Sequence, residues 1–245
     1  PSQMFTAIDS VPLTAIAFFM LTGELMTSAT ITDRLVALSR ALIGRIRGGL
    51  AQVNVLVSMF FAGMNGSVVA DTATVGALVL PAMKKAGYPA AFSAAVTGVS
   101  STIGGIIPPS IMMIVLANAT EISIAALFAA GIIPGILIGV VIMVINHYFA
   151  VKYNFERSDQ PFSVRRAGKE LYRSSFALLI PLVLVGSVMG GVASVVEAGA
   201  ITALVALFTG VFVYRTIKWK DCTGAFRRAF RNSAMVFIII AASGP

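Results

Sequence analysis

The 245-residue chain is 58% hydrophobic, only 11% charged, and has a mean hydropathy of +0.92, whereas a soluble domain carries about 25% charged residues. Several apolar runs reach the roughly 20 residues that cross a hydrocarbon core, and the short alternating segments of a membrane β-barrel are absent. The sequence therefore predicts an all-α polytopic membrane protein. The net charge of +8 does not indicate a nucleic-acid partner, because all 18 Lys and Arg fall into four clusters. These are Arg34–Arg47, Lys84–Lys85, Lys152–Arg173 and Arg215–Arg231. None interrupts an apolar core, and basic residues kept to loops mark the cytoplasmic side.

In chain order, a first span is expected over Val11–Ile31. Asp33–Gly48 follows, with Leu35, Leu38, Leu42 and Ile46 at helical spacing among arginines, the pattern of a helix lying in the interface. Leu50–Met83 is apolar but interrupted by GMNGS at Gly63–Ser67. Each half has about 16 residues, roughly 24 Å of helix, which is short for a full crossing and favours a re-entrant hairpin. Pro89–Asn118 is a second interrupted run, broken by IGGIIPPS at Ile103–Ser110. A long span over Ile122–Val151 precedes a basic loop to Arg173. Spans over Ser174–Val192 and Val196–Tyr214 come next, and a further one begins at Asn232. Placing the first basic cluster inside puts every later cluster inside, and Glu121 and Ala193 outside.

The two consecutive interruptions carry the functional argument. Unpaired backbone at membrane depth is tolerated only where it is buried in protein or lines a polar cavity, and Gly/Pro-interrupted segments point to a transporter's binding site. A helix that stops there offers amide N–H groups at a positive end, which suit an anion, or carbonyls at a negative end, which suit a cation. Asn65 and Ser67 bracket Gly66 at the first break; Ser100, Ser101 and Thr102 lead into the second, and Ser110 leaves it. These hydroxyl and amide oxygens suit a hard cation such as sodium. The two breaks are expected to meet in a polar pocket at half depth.

Three acids lie in apolar sequence, Glu24, Asp71 and Glu197. Asp71 is one helical turn past Ser67 and so on the side of the tip, as a coupling or a structural acid; packing or subunit contacts are expected of Glu24 and Glu197. No Lys or Arg lies in any expected span, so an acidic substrate would be held by helix N-termini, hydroxyls and a co-bound ion. An intramembrane enzyme is disfavoured by the lack of HExxH, GxGD or a Ser–His arrangement. A passive anion channel, or another kind of ion-coupled anion transporter, is the alternative. Cys222 is the only cysteine and excludes an intramolecular disulfide, and the chain reads as a fragment.

The blocks GELM, DRLVALSRALIGRIRGGLAQVNV, NGSVVADTATVGALVLPAMKKAGYPAAFSAAV, SSTIGGIIPPSI and SIAALFAAGIIPGIL resemble the large membrane subunit of tripartite ATP-independent periplasmic (TRAP) transporters. The resemblance runs almost continuously over residues 11–137 and resumes more weakly at 177–186 and near Glu197. It implies an elevator-type sodium-coupled importer of carboxylates such as dicarboxylates or sugar acids, multi-pass in the bacterial inner membrane. Sodium is its coupling ion and no other cofactor is implied. It also implies inverted repeats, the second incomplete here, a small membrane subunit and a periplasmic substrate-binding protein. Residues 1–48 would be a scaffold span and arm helix, 49–151 half of the transport domain, and 152–245 scaffold spans with the start of the second repeat. Asn65, Gly66, Ser67, Gly104 and Ile107 would bind sodium; Ser101, Thr102, Pro108, Pro109 and Ser110 would wall the substrate site. The chain departs from the family pattern in three places. Asn65 stands where the tip usually reads SGS, and Gly105 replaces the first proline of GPIIPPS, which should loosen that loop. Ser194, Val195 and Val196 stand for the TPT of TPTEA, removing a hydroxyl and a proline where that helix starts.

Overall fold

A computed structural model describes residues 10–155 and 162–243, which form ten α-helices and no strand. Arg157 of the third basic cluster and the segment 1–9 lie outside the described residues. The first helix, α1 (Val11–Ser28), starts with Pro12 in its first turn, where the missing N–H costs nothing. It stops three residues short of the expected boundary because Thr30 turns the chain through a left-handed conformation into α2 (Ile31–Ile43). That helix ends at Ile43, short of the expected Gly48, with Gly44 as its C-cap. Of the expected apolar face, Leu35 and Leu38 are fully buried, Leu42 is exposed, and Ile46 lies beyond the helix and is exposed.

The first interrupted run becomes α3 (Gly49–Asn65) and α4 (Val68–Lys85), packed on each other and joined at Gly66–Ser67. The second becomes α5 (Ala90–Ser101), a 3₁₀ turn over Thr102–Gly105, an irregular stretch through Pro109, and α6 (Ile111–Thr120). Next come α7 (Ile124–Lys152), α8 (Val164–Met189), α9 (Val195–Phe208) closed by a π turn over Thr209–Val213, and α10 (Trp219–Ser243). Among the described residues four segments are long and apolar enough to cross a membrane: α1, α7, α8, and α9 with its π turn.

Helices extend beyond the apolar runs in two places. The helix α8 begins ten residues before the expected span, and α10 begins inside the basic segment. Arg, Lys, Glu and Ala are good helix formers, so hydropathy marks depth in the bilayer and not where a helix ends.

Two packing clusters organise the molecule. One centres on α3, with Phe61, Val57 and Met64 against Val75, Val79, Ile103 and Ile180. The other joins α1 to α6, α7, α8 and α9 through Leu13, Ile16, Phe19, Ile114, Phe128 and Leu184. Small residues set the close approaches. A methyl on Gly23 of α1 would come 2.5 Å from Asn65 Cβ, so this glycine lets the end of α3 seat against α1. Along α7, Gly131, Gly135 and Gly139 recur every fourth residue and face the Ile106 carbonyl, the Ile107 side chain and Met59, so one glycine face cradles both the broken loop and α3.

Ser194 is the N-cap of α9, accepting from Glu197 N–H at 3.3 Å, while Glu197 Oε2 accepts from Ser194 N–H at 2.7 Å. This reciprocal capping box starts the helix in regular fashion. The departure from TPTEA keeps a capping hydroxyl, at Ser194, and Glu197 is a helix cap within the chain. Glu24 is also resolved: Arg228 Nε donates to it at 2.6 Å and Asn232 Nδ2 at 3.2 Å, while Arg228 also donates to Ser28 Oγ at 3.0 Å. Arg228, counted with a basic loop in the sequence, is helical and ties α10 to α1.

Candidate functional site

The two interruptions meet. At the tip of the α3–α4 hairpin Gly66 has φ +59°, a left-handed conformation that suits glycine, and its carbonyl accepts from Ile111 N–H at 3.2 Å. A methyl on Gly66 would strike the Pro109 carbonyl and lie 2.9 Å from Ser110 Cα and 3.0 Å from Ile111 N. The second break is thus laid directly on the backbone of the first. Gly63, one turn earlier, faces the Pro108 carbonyl. Gly104 is also close: a methyl there would come 3.8 Å from the Ser67 carbonyl carbon and oxygen and from Val68 Cα.

Each break starts a new helix with a serine cap. Asn65 Oδ1 accepts from Ser67 N–H at 3.1 Å, and Ser67 Oγ accepts from Ala70 N–H at 3.3 Å. Ser110 Oγ donates to the Gly105 carbonyl at 2.8 Å and accepts from Met113 N–H at 3.4 Å. The positive ends of α4 and α6 therefore lie side by side, next to the carbonyl end of α3. The Pro108–Pro109 peptide is cis.

None of the three described cavities is the open polar pocket expected between the breaks. Gly66 brings the two backbones into contact, and Asn65, Pro108, Pro109 and Ser110 are buried. Polar groups reach the rim instead, where Ser67 is half-buried and Thr102 exposed, its hydroxyl donating to the Val99 carbonyl at 2.7 Å. Ile107 is half-buried; its N–H donates to the Ile103 carbonyl and its side chain rests on Gly135. Three cavities described lie elsewhere, the first lined by α1 and α10, another where α1, α7, α8 and α9 meet, and the third by α2, α4 and α8.

Ser101 does not join Pro108, Pro109 and Ser110. It faces inward, into a polar core between α3, α4 and α5 that also holds Asp71. Asn54 Nδ2 donates to Thr97 Oγ1 at 2.7 Å, Ser100 Oγ donates to Asn54 Oδ1 at 3.3 Å, and Ser58 Oγ is 3.2 Å from Ser100 Oγ. All are buried. Asp71 has no accessible surface, and neither of its oxygens closes a hydrogen bond. Among the described residues no helix N–H group donates to either oxygen, and the Ser101 and Ser58 hydroxyls lie beside them. Sequence reasoning passed over Asn54, Ser58 and Thr97. The signal was available: Asn54 and Ser58, then Ser93, Thr97 and Ser101, recur every fourth residue in otherwise apolar helices, which places them on one face.

Residues 1–244 match the family described as "Tripartite ATP-independent periplasmic transporter, DctM component". The chain is 34% identical over 238 residues to the sialic acid TRAP transporter large permease protein SiaM of Vibrio cholerae, covering 97% of this chain and 56% of that protein. It is 35% identical over 239 residues to the C4-dicarboxylate TRAP transporter large permease protein DctM of Pseudomonas aeruginosa, covering 98% and 56%. With the 2,3-diketo-L-gulonate TRAP transporter large permease protein YiaN of Escherichia coli it shares 34% over 235 residues, covering 96% and 55%. These relatives are transport permeases, not enzymes, and the chain spans about half their length. By a match that runs through both breaks and every described helix, the chain belongs to the DctM family of TRAP transporter components.

Proposed function

We propose that the chain is part of the permease of a TRAP transporter that imports a carboxylate across the bacterial inner membrane, driven by sodium. The observation that carries this reading is the convergence of two chain breaks, with Gly66 O on Ile111 N–H and two serine-capped helix starts side by side. Sodium takes oxygen ligands from Asn65, Gly66, Ser67, Gly104 and Ile107, and the substrate carboxylate lies against Thr102, Pro108, Pro109 and Ser110 at the positive ends of α4 and α6. With Ser101 turned inward, Thr102 and Ser67 at the rim are the hydroxyls best placed to reach a ligand. The relatives named for sialic acid, C4-dicarboxylates and diketogulonate share one substrate class, small organic acids.

In this account α3 and α4 form a re-entrant hairpin, and residues 49–151 move as an elevator against scaffold helices in 1–48 and 152–245. A second, inverted repeat starts near α9, and a small membrane subunit and a periplasmic binding protein complete the system. The basic clusters face the cytoplasm.

Proteoliposomes holding the complete transporter test this. Uptake of a panel of dicarboxylates and sugar acids is expected to require the binding protein and to accelerate under an inward sodium gradient. Uptake that is indifferent to sodium would overturn the coupling, and conductance without the binding protein would favour a channel.

A further inference from the structure

The polar core behind the tip contains more oxygen than its own hydrogen bonds use. Both Asp71 oxygens and Ser101 Oγ are buried and close no hydrogen bond, although the Ser101 and Ser58 hydroxyls lie beside the carboxylate. The neighbouring network competes with Asp71 for the Ser58 proton. The single proton of Ser100 Oγ has Asn54 Oδ1 at 3.3 Å and the Thr97 carbonyl at 3.1 Å as acceptors. In the Ser58–Ser100 contact at 3.2 Å either hydroxyl can be the donor. When Ser58 donates to Ser100 it turns lone pairs toward Asp71, and a cation between them suits both oxygens.

No basic side chain supplies the missing charge. The elements packed against α4 are α2, α3, α5 and the 102–105 turn, and α3, α5 and the turn contain no titratable residue. On α2, Arg34 lies over the Tyr214 ring and donates to the Arg173 carbonyl, while Asp33 and Arg40 line a cavity with Leu78, Arg166 and Glu170. Leu78 is about two turns along α4 from Asp71. Lys84 and Lys85 stand at the far end of α4, roughly 20 Å away along its axis. A buried carboxylate without a countercharge is among the costliest arrangements in a protein interior.

We propose that Asp71, Ser101 and Ser58 hold a monovalent alkali cation, in a site separate from the one at the Asn65–Ser67 tip. One carboxylate and one monovalent ion leave the core neutral, whereas a divalent ion would leave a buried positive charge. Oxygen-only donors fit a hard ion, and among the described residues no group of three or more His, Cys, Asp or Glu offers a transition-metal site. A proton would satisfy one carboxylate oxygen, while a coordinated ion takes both together with Ser101. The site clamps α4 to α3 and α5 directly behind the tip, and it does not depend on sodium binding at the tip itself.

The test uses the complete protein in detergent, with radioactive sodium binding at equilibrium and thermal melting in sodium, potassium, lithium or choline. Asp71→Asn is expected to lower the number of sodium ions bound by one. It is also expected to melt at or above the native protein in choline, because it removes an uncompensated charge, and below it in the ion that fills the site. Ser101→Ala, a milder change, weakens the same site about tenfold, and Ser194→Ala, which removes a helix cap away from this core, leaves it intact. The proposal is overturned if Asp71→Asn binds as many ions as the native protein, or melts lower in every medium as a purely structural acid would. It is equally overturned if the native protein shows an infrared band of a protonated carboxyl that Asp71→Asn lacks and sodium does not remove.

Discussion

Replacing Gly66 by alanine should separate the tip contact from ordinary glycine strain. A non-glycine residue at φ +59° costs about 1–2 kcal/mol. The added methyl also collides with the Pro109 carbonyl and crowds Ile111 N, so the Ile111–Gly66 hydrogen bond opens at a further cost of about 1 kcal/mol. Together, about 2–3 kcal/mol reduce the population in which the two breaks are docked by roughly 30- to 150-fold. Gly87 is the control: its φ is +78°, but a methyl there would meet nothing within 4 Å, so Gly87→Ala bears the backbone cost alone. Melting of the complete protein in detergent and its sodium-driven uptake should both suffer far more from Gly66→Ala than from Gly87→Ala. Equal effects of the two substitutions would refute the claim that the breaks are packed on each other.

Other contacts give further expectations. Ser110→Ala removes both the bond to the Gly105 carbonyl and the cap of α6, and should lower stability by about 1–2 kcal/mol, read as a lower melting temperature with slower uptake. Gly131→Val forces a side chain onto the Ile106 carbonyl, and limited proteolysis should then cut the 103–110 loop faster than in the native protein. The Arg228–Glu24 pair is partly exposed, at 45% and 19% of the side chains, so Arg228→Ala should cost no more than about 1 kcal/mol. A double-mutant cycle with Glu24→Gln should return most of that as coupling. Ser194→Ala should cost about 1 kcal/mol through loss of the α9 capping box, with sodium affinity unchanged.

Much of the fold was legible because apolar runs of about 20 residues and clustered basic residues are coarse signals that survive without tertiary detail. The GMNGS and IGGIIPPS breaks were legible for the same reason: Gly and Pro interrupt helices by local sterics alone. Helix ends were misplaced where well-formed helices run on into polar sequence, as in α8 and α10. That the breaks are packed directly on each other depends on Gly66 lying under Pro109, a long-range contact that no local pattern encodes. The inward turn of Ser101 was missed likewise. Ser101 and Thr102 are neighbours with equal propensity for a site, and only the rotation of α5 against α4 decides which one faces Asp71.

The most direct test of the account is a sodium titration of uptake by the complete transporter after Asn65→Ala and Ser67→Ala, with Ser194→Ala as a variant that loses a helix cap away from the tip. Loss of one tip ligand is expected to raise the half-saturating sodium concentration about tenfold, equivalent to about 1.4 kcal/mol, while Ser194→Ala leaves it where it was. A half-saturating concentration that stays the same in both tip variants would contradict the assignment of sodium to the docked breaks.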